Sequence, residues 1–495
     1  MKTLKSENQS YNQIIKSTSI FGGSQFITII IGIIRTKIIA ILLGTTGVGL
    51  IGVYQSIVDV IRTVGGLGMD TGGVKEIASA EDKEDKTELQ KVISVLNSWF
   101  RATALIGALA CVVFCFPLSI WAFDDVSYAM PIAGLSVCVF FTMLATGKST
   151  ILQGLRRISF MAKSLVLGSL FSLITAIPLY YFFGLDGIIP AFMLSGLFLY
   201  LCTYYYYRKL KIKDIKLNGK EVHKEGIKTL KLGLFIVLSA IVSTLSMFII
   251  RAYITRETDI ETAGLFQSVW TITTIYLALV LRSMGSDFFP RLSKIAVDNT
   301  KTKKLVNEQT YIVLIIASPI VAAMLLFSGL ALKVLYSSEF IFASSTLQWM
   351  VLGSFIKVLG WPISFILLAK NRGKIFLLSE VLFYVVFLLA TYLLFPLLGL
   401  EATGLGNLIA YAVYFPVLFI MGNRISAFKW DRNICRMVII NSLLITGTYL
   451  TVINMQSAYL YIAGGVLLLL SLLYAFVKLR KVFTIDDLKG WFKKE

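Results

Sequence analysis

Charged residues are scarce in this chain, and histidine is almost absent. Only 15% of the residues are Asp, Glu, Lys or Arg, whereas 57% are hydrophobic, and a soluble globular protein carries about 25% charged residues. The single histidine, His223, lies in the most basic loop, and the five cysteines lie in or at the ends of apolar runs. The composition excludes a soluble domain. It predicts no histidine-based catalysis, no disulfide framework and no metal site.

Long apolar runs occupy most of the sequence. A helix that crosses the membrane needs about 20 apolar residues, so the sequence predicts an all-α polytopic membrane protein with about 14 transmembrane helices. The first run is long and has no small-residue cleavage site, which predicts a retained span rather than a signal peptide. The predicted spans lie near residues 15–43, 48–69, 92–117, 127–147, 161–183, 187–207, 231–255, 262–288, 309–331, 341–369, 374–397, 402–422, 434–454 and 458–478.

The net charge of +19 is distributed unevenly along the chain. Lys and Arg concentrate in alternate connections between the spans, such as 75–91, 148–163 and 208–231, while the opposite connections hold few of them. By the positive-inside rule this pattern predicts that both termini are cytoplasmic. We therefore interpret the basic charge as a topology signal with the lipid bilayer as partner, and expect no nucleic-acid partner.

Two stretches of the sequence are related to each other. Residues 44–78, which begin GTTGVGLIGVYQSIVDV, recur in altered form at 262–296 as TAGLFQSVWTITTIY. Three pairs share a separation of 215 residues: Gly49 with Gly264, Arg157 with Arg372, and Gly184 with Gly399. One constant offset at three separate places indicates an internal duplication, and a duplicated membrane bundle is typical of transporters with a site between the halves.

The repeat predicts how the chain divides. Six spans per copy is an even number, so both copies start on the same side of the membrane and form two pseudo-symmetric six-helix lobes in a parallel repeat. A C-terminal helix pair and a tail that lies on the membrane surface follow the second lobe. The predicted parts are the N-lobe 1–210, the basic cytoplasmic linker 211–230, the C-lobe 231–425, and the helix pair with its cytoplasmic amphipathic tail 426–495.

Several basic residues fall within the predicted spans, where each costs a few kcal/mol unless it faces water or a partner. Arg35 and Arg251 occupy nearly matching positions in the two repeats, and a guanidinium group can fork onto phosphate oxygens. We expect a hydrated cavity for a phosphate-bearing anion. Snorkelling from span ends and local pairing of Asp59 with Arg62 are the alternatives. The candidate substrate-binding residues are Arg35, Arg62, Arg251, Arg282, Arg101, Lys37 and Lys357.

Acidic residues within the spans are fewer. A carboxylate inside the membrane can carry a coupling proton or sodium ion, and Glu380 and Asp59 are the candidates for that role. A hydrogen bond between helices is the alternative role for Glu380. No catalytic residue and no cofactor are predicted.

The motifs around these residues resemble those of a known family. RTKIIAILLGTTGVGL leading into a second helix, the ending GGVKEIA, its counterpart FFPRLSKIA, and the basic turns with Arg157 and Arg372 are similar to the polysaccharide flippases of the multidrug/oligosaccharidyl-lipid/polysaccharide exporter superfamily. More narrowly, the chain resembles the Wzx-type O-antigen translocases. Arg35 and Arg62 match cavity arginines of the related lipid II flippases, although Thr36 stands where an acidic residue follows the first arginine there.

The resemblance implies a function. Members of this family are V-shaped bundles of two six-helix lobes, often with two further helices, in the bacterial cytoplasmic membrane. They move an undecaprenyl-diphosphate-linked oligosaccharide from the cytoplasmic to the periplasmic leaflet by alternating access, driven by the substrate gradient or by a proton or sodium gradient. The resemblance also implies that polysaccharide polymerase and glycosyltransferases of the same pathway are partners.

Two other functions compete with this one. A multidrug exporter of the same superfamily would favour an acidic, aromatic cavity, whereas basic residues outnumber acidic ones within the predicted spans. A membrane glycan polymerase, ligase or acyltransferase would place catalytic groups on a sizeable outer loop, whereas the outer loops here are short and lack histidine. A transporter that is not an enzyme is the main prediction.

Overall fold

The computed structural model is helical throughout. It describes residues 2–82, 86–212, 215, 218–231, 234–455 and 457–480. Within these ranges, only the backbone is described at 2–22, 82, 228, 230–231, 275–280, 282–283, 286–287 and 457–458. These residues hold 17 α-helices, a few 3₁₀ turns and no strand. The helices are α1 Lys2–Gly66, α2 Met69–Asp82, α3 Lys86–Val113, α4 Cys115–Phe123, α5 Ala129–Gly154, α6 Ile158–Phe183, α7 Ile188–Arg208, α8 Gly219–Lys231, α9 Leu234–Glu257, α10 Ile260–Ile295, α11 Asn299–Leu326, α12 Ser328–Leu335, α13 Ser344–Ala369, α14 Gly373–Leu398, α15 Glu401–Ser426, α16 Arg432–Asn454 and α17 Ser457–Leu479.

The helices are long and apolar enough to cross a membrane at 11 stretches of the described residues. Two of these stretches, Gly23–Gly66 and Ile158–Arg208, are 44 and 51 residues long, which is room for two crossings of about 20 residues each. The first is interrupted at Gly44, where φ is 63°, a left-handed backbone that glycine adopts without a steric penalty. The polytopic all-α prediction is confirmed, and the number of 14 spans stays a prediction.

Local backbone features recur with the offset found in the sequence. Arg156 and Asn371, two positions before the start of α6 and α14, both have left-handed φ angles, of 53° and 56°. The glycines that end the same two helices, Gly184 and Gly399, have φ angles of 55° and 54°. Each pair is 215 residues apart in the sequence. The two copies therefore build the same turns at the same places.

The chain forms two compact units, Met1–Gly264 and Leu265–Glu495, called unit 1 and unit 2 below. In unit 1, α5 packs against α3 and α7, and α6 packs against α7. In unit 2, α13 packs against α11 and α15, and α14 packs against α15, while the additional helices α16 and α17 pack against α11. Because α9 belongs to unit 1, these units differ from the lobes defined by the repeat, and the lobe boundaries stay a prediction.

The basic connections are more structured than their composition indicates. The predicted linker contains α8, which packs against α2 and α3. The indole Nε1 of Trp99 donates to the carbonyl oxygen of Val222 at 2.9 Å, and Lys91 pairs with Glu225 at 3.3 Å. The predicted amphipathic tail falls largely on 481–495, outside the described residues.

Candidate functional site

A buried arginine joins two membrane helices of unit 1. Arg251 on α9 is only 8% exposed, and its guanidinium donates to the hydroxyl oxygen of Ser56 on α1 at 2.8 Å. The hydroxyl of Ser56 in turn donates to the carbonyl oxygen of Gly52 at 2.8 Å. Since a hydroxyl has one hydrogen and two acceptor lone pairs, Ser56 can accept from Arg251 on α9 and donate to Gly52 on α1 at the same time. Arg251 is therefore held in place within the span.

Asp59 and Arg62 extend this group along α1. Asp59 accepts a hydrogen bond from the side-chain amide of Gln55 at 3.1 Å, and a guanidinium nitrogen of Arg62 lies 3.6 Å from its carboxylate oxygen. Arg251 is also close enough to Asp59 to interact electrostatically. We call Ser56, Asp59, Arg62 and Arg251 the α1–α9 cluster. It holds two guanidinium groups and one carboxylate, so its charge is net positive.

Arg62 faces an open space. Its side chain is 45% exposed and lines a cavity of about 250 Å³ together with Asp70, Phe100 and Val237. The ion pair with Asp59 is the local pairing that the sequence offered as the alternative to a substrate-binding role for Arg62. An ion pair this exposed contributes only about 0–1 kcal/mol. The guanidinium group of Arg62 therefore remains accessible from the cavity.

Arg35 lies nearer the N-terminus on α1. Its Nε is buried and has no hydrogen-bond partner among the residues that the structure describes. Arg35 and Arg62 are both close enough to the thiol of Cys138 on α5 to interact with it. Three of the predicted arginines thus lie on neighbouring parts of α1 and α9. Lys37 is partly buried on α1 and does not line the cavity next to Arg62.

Arg101 belongs to a different cavity. This second space of about 700 Å³ lies among α3, α5 and α7 and is also lined by Lys148 and Arg208. Phe100 lines both cavities, so the two cavities are neighbours. Sequence reasoning assigned Lys148 and Arg208 to cytoplasmic connections and missed that helix packing brings them to Arg101. The spacing of Tyr200, Tyr204 and Tyr207 on one helix face was the available signal.

The candidates of unit 2 form a separate polar group. The hydroxyl of Tyr414 donates to a carboxylate oxygen of Glu380 at 3.1 Å, and Lys357 is close enough to Glu380 to interact electrostatically. The ammonium nitrogen of Lys357 lies 5.9 Å from the ring centroid of Tyr411. We call these four residues the Lys357–Glu380 group. The side chain of Arg282, also predicted for the site, lies outside the described residues.

No metal site appears among the residues that the structure describes. They include no group of three or more His, Cys, Asp or Glu side chains that could hold an ion. The five cysteines are free.

The chain is similar to known membrane transporters. It is 21% identical over 394 residues to the lipid III flippase of Escherichia coli (strain K12), an alignment that covers 78% of this chain and 92% of that protein. This relative is a transporter and not an enzyme, in agreement with the prediction from the sequence.

Solved structures share the fold. A multidrug resistance MATE family transporter of the MOP superfamily in an inward-facing conformation matches with a TM-score of 0.69 at 18% identity, covering 83% of this chain and 95% of that one. The lipid II flippase MurJ in an inward closed conformation matches with a TM-score of 0.68 at 14% identity, covering 93% and 98%. At these identities the likeness concerns the fold alone, and it is equally strong for a drug exporter and for a lipid flippase.

The family follows from the sequence. Residues 14–296, more than half of the chain, match the family described as polysaccharide biosynthesis protein. These residues include all of α9 and the part of α1 from residue 14 onward, which together carry the α1–α9 cluster, and both copies of the repeated stretch. The chain belongs to the polysaccharide biosynthesis protein family.

Proposed function

We propose that this protein is a flippase that moves an undecaprenyl-diphosphate-linked oligosaccharide from the cytoplasmic to the periplasmic leaflet. Arg35, Arg62 and Arg251 attract and hold the diphosphate, the glycan occupies the hydrated space beside them, and the prenyl chain stays in lipid. Alternating access carries the headgroup across. The observation on which the proposal rests is the net positive α1–α9 cluster within the membrane helices of a chain from this family.

The charge of the cluster favours an anionic cargo. Guanidinium groups bind phosphate oxygens through two parallel hydrogen bonds, and the space beside Arg62 makes such a contact accessible. Arg35 lies close to Cys138, as Arg62 does, and would add a third guanidinium group near the cargo. The lipid III flippase of Escherichia coli gives a precedent for a saccharide-bearing lipid as cargo, and the polysaccharide family gives the class of glycan.

The competing reading is a multidrug exporter. The likeness of the fold to a MATE transporter supports it. A cationic drug would need an excess of carboxylates, whereas the α1–α9 cluster has two cations for one anion. In unit 2 the carboxylate of Glu380 already has Lys357 as a neighbouring cation. We therefore place the drug exporter second.

Coupling to an ion gradient is a secondary part of the proposal. Glu380, which has Tyr414 and Lys357 as neighbours, can take up and release a proton. A sodium ion would compete with the ammonium group of Lys357 for the carboxylate. Asp59, between two arginines, would bind a cation less readily. A proton gradient therefore suits the Lys357–Glu380 group better than a sodium gradient.

Export of glycan in cells that lack their own flippase tests the proposal. Arg35→Ala and Arg62→Ala should reduce export about tenfold or more, because each loses a charged hydrogen bond to phosphate. Arg35→Lys and Arg62→Lys should restore part of it. Arg256→Ala is the matched control, since Arg256 is an exposed arginine at the end of α9 that pairs with Asp124 at 3.4 Å.

Membrane levels of every variant are measured alongside export. Normal export by both Ala variants at normal protein levels would mean that these arginines do not hold the cargo. An equal loss in Arg256→Ala would show that the effect is not specific to the site.

A further inference from the structure

The short helix α8 is docked on unit 1 by a small set of polar and aromatic contacts. The indole Nε1 of Trp99 on α3 donates to the backbone oxygen of Val222 at 2.9 Å, and the ring of Trp99 lies nearly parallel to that of His223, 6.3 Å away between centroids. The hydroxyl of Thr229 donates to the carboxylate of Glu76 on α2. The contacts thus fasten α8 to both α2 and α3.

These contacts bury little of α8. Among the residues of α8 whose side chains the structure describes, Gly226 and Thr229 are buried and the others are partly or fully exposed. The ion pair of Lys91 with Glu225 is 40% and 35% exposed, and such a pair contributes little to stability. An element with few buried apolar contacts opens locally at a low cost in free energy. α8 can therefore leave α2 and α3 while the rest of unit 1 stays folded.

α8 is connected to one wall of the cavity next to Arg62. Two residues lie between the end of α8 and the start of α9, and the first turns of α9 contribute Ile236, Val237 and Ala240 to the cavity lining. A Cβ atom on Gly68, in the turn between α1 and α2, would lie 2.0 Å from a methyl carbon of Val237. The wall is therefore packed closely on that turn. Because the connection is so short, a displacement of α8 is passed on to this wall.

The cavity next to Arg62 is small for the proposed cargo. Its volume of about 250 Å³ lies below the range of about 300–1,000 Å³ that is typical of pockets for drug-sized ligands. An oligosaccharide is larger than such a ligand. The cavity therefore has to widen before it takes up the glycan, and the start of α9 is the wall with a releasable attachment.

We propose that α8 is a latch that controls the width of this cavity on the predicted cytoplasmic side. While α8 is docked on α2 and α3, the start of α9 is held against the turn between α1 and α2, and the cavity stays narrow. When α8 is released, the start of α9 moves away and the cavity admits the glycan. The role in glycan entry rests on the proposed flippase function, whereas the movement of α8 is measurable without cargo.

Gly226 offers a way to release the latch. A Cβ atom on Gly226 would lie 1.8 Å from the Nε1 of Trp99, so Gly226→Leu should force α8 away from α3. Thr63 lines the cavity, and Thr63→Cys reports access through its reaction with a membrane-impermeant maleimide on inside-out vesicles. Gly226→Leu should raise the labelling rate about tenfold, because the open population of an element increases as its contacts are lost. Vesicles without Thr63→Cys give the background from the native cysteines.

Gly219→Leu is the matched control. Gly219 lies on the same helix, and a Cβ atom there would meet nothing within 4 Å, so the labelling rate should stay unchanged. An unchanged rate in Gly226→Leu at normal protein levels would overturn the latch. An equal increase in Gly219→Leu would also overturn it.

A reversible bridge tests the docked state and does not depend on the folding of Gly226→Leu. Lys91→Cys and Glu225→Cys together replace the ion pair whose charged atoms are 3.3 Å apart, and a short bis-methanethiosulfonate reagent joins the two thiols until dithiothreitol removes it. In proteoliposomes with a fluorescent undecaprenyl-diphosphate oligosaccharide, the bridge should stop movement of the lipid between leaflets, and reduction should restore it. Lys91→Cys alone, treated with the same reagent, should keep its activity.

The two readouts separate the latch from the cargo. Lipid movement at an unchanged rate in the bridged protein would overturn the latch. Increased labelling in Gly226→Leu, together with no lipid movement in the unbridged protein, would overturn the proposed flippase function, while the release of α8 would stand.

Discussion

The two units place charge inside the membrane in different ways. The α1–α9 cluster of unit 1 has two arginines for one aspartate, and one of its arginines is accessible from a cavity. The Lys357–Glu380 group of unit 2 has one cation and one anion, with two tyrosines around them. The first arrangement leaves a net positive charge for a ligand. The second is balanced within the protein.

This difference shows that duplicated helices need not keep duplicated sites. The turns recur at the same offset, as Gly184 and Gly399 show, because backbone geometry depends on a few permissive residues. Buried charges change more freely, because each needs only a local partner to be tolerated. We therefore expect unit 1 to bind the anionic part of the cargo, and unit 2 to respond to protons.

The largest effect is expected for Arg251→Ala. The change removes the hydrogen bond to Ser56 and one of the two positive charges of the cluster. Export should be lost, and the free energy of unfolding should fall by about 2 kcal/mol. Ser56→Ala removes the acceptor but keeps the charge, so it should lose about 1 kcal/mol and retain export. Equal export defects in the two variants would assign Arg251 a purely structural role.

A double-mutant cycle on Lys357 and Glu380 should give the next largest effect. Lys357→Met leaves a carboxylate in the span without its cation, and Glu380→Gln leaves the ammonium without its anion. Each single change should lower the free energy of unfolding, and the double change should lower it by less than the sum of the two single losses. The difference, the coupling energy, should be about 1 kcal/mol. Thermal unfolding of the four proteins measures it. Strictly additive effects would mean that the two groups do not form a balanced pair.

Asp59→Asn should have a smaller effect on stability and keep export. The ion pair with Arg62 is partly exposed, at 45% for the Arg62 side chain and 35% for that of Asp59, so its loss should cost about 1 kcal/mol or less. The cluster becomes more positive, which favours a diphosphate. Export assays and thermal unfolding check both statements. A complete loss of export at normal protein levels would instead assign Asp59 a direct role, as a coupling-ion site would.

The smallest effect is expected outside the spans, at the start of α11. The carboxylate of Asp298 accepts hydrogen bonds from the backbone amides of Lys301 and Thr300 at 3.1 and 2.9 Å, and these bonds lower its pKa. A lowered pKa means that the stabilisation is fully present above the unfolded-state value of about 3.9 and is lost as the pH falls further. Asp298→Ala should slightly lower the melting temperature at pH 7 and make no difference near pH 2. An equal decrease at both pH values would contradict this capping role.

Much of the helical fold could be predicted from the sequence, because apolar length directly reports a membrane span. The predicted spans 161–183 and 187–207 correspond to α6 and α7, and the break between the first two spans lies at Gly44. The short helices were less predictable. The predicted span 92–117 ends early, because the backbone breaks at Phe114 and continues as α4, and apolar composition does not indicate such a break.

The site was only partly predictable, because the sequence does not show which side of a helix a charge faces. The cost of placing a charge within a span predicted that Arg251 faces water or a partner, and in the structure it is 8% exposed and donates to Ser56. Its role in substrate binding stays a prediction. The sequence grouped Arg101 with Arg35, Arg62 and Arg251 as candidate substrate-binding residues. In the structure Arg101 lines a cavity with Lys148 and Arg208, and Arg62 lines another. That separation depends on the packing of α3, α5 and α7, which hydropathy does not encode.

Transport by the purified protein in proteoliposomes tests the central claim most directly. One preparation contains a fluorescent undecaprenyl-diphosphate oligosaccharide, and a second contains a cationic dye of the kind that drug exporters carry. An impermeant quencher measures how fast the labelled headgroup moves between leaflets, and dye accumulation is followed in parallel. The oligosaccharide lipid should move between leaflets, Arg62→Ala should slow that movement, and the dye should not be transported. Transport of the dye with no movement of the oligosaccharide lipid would contradict the proposed flippase function.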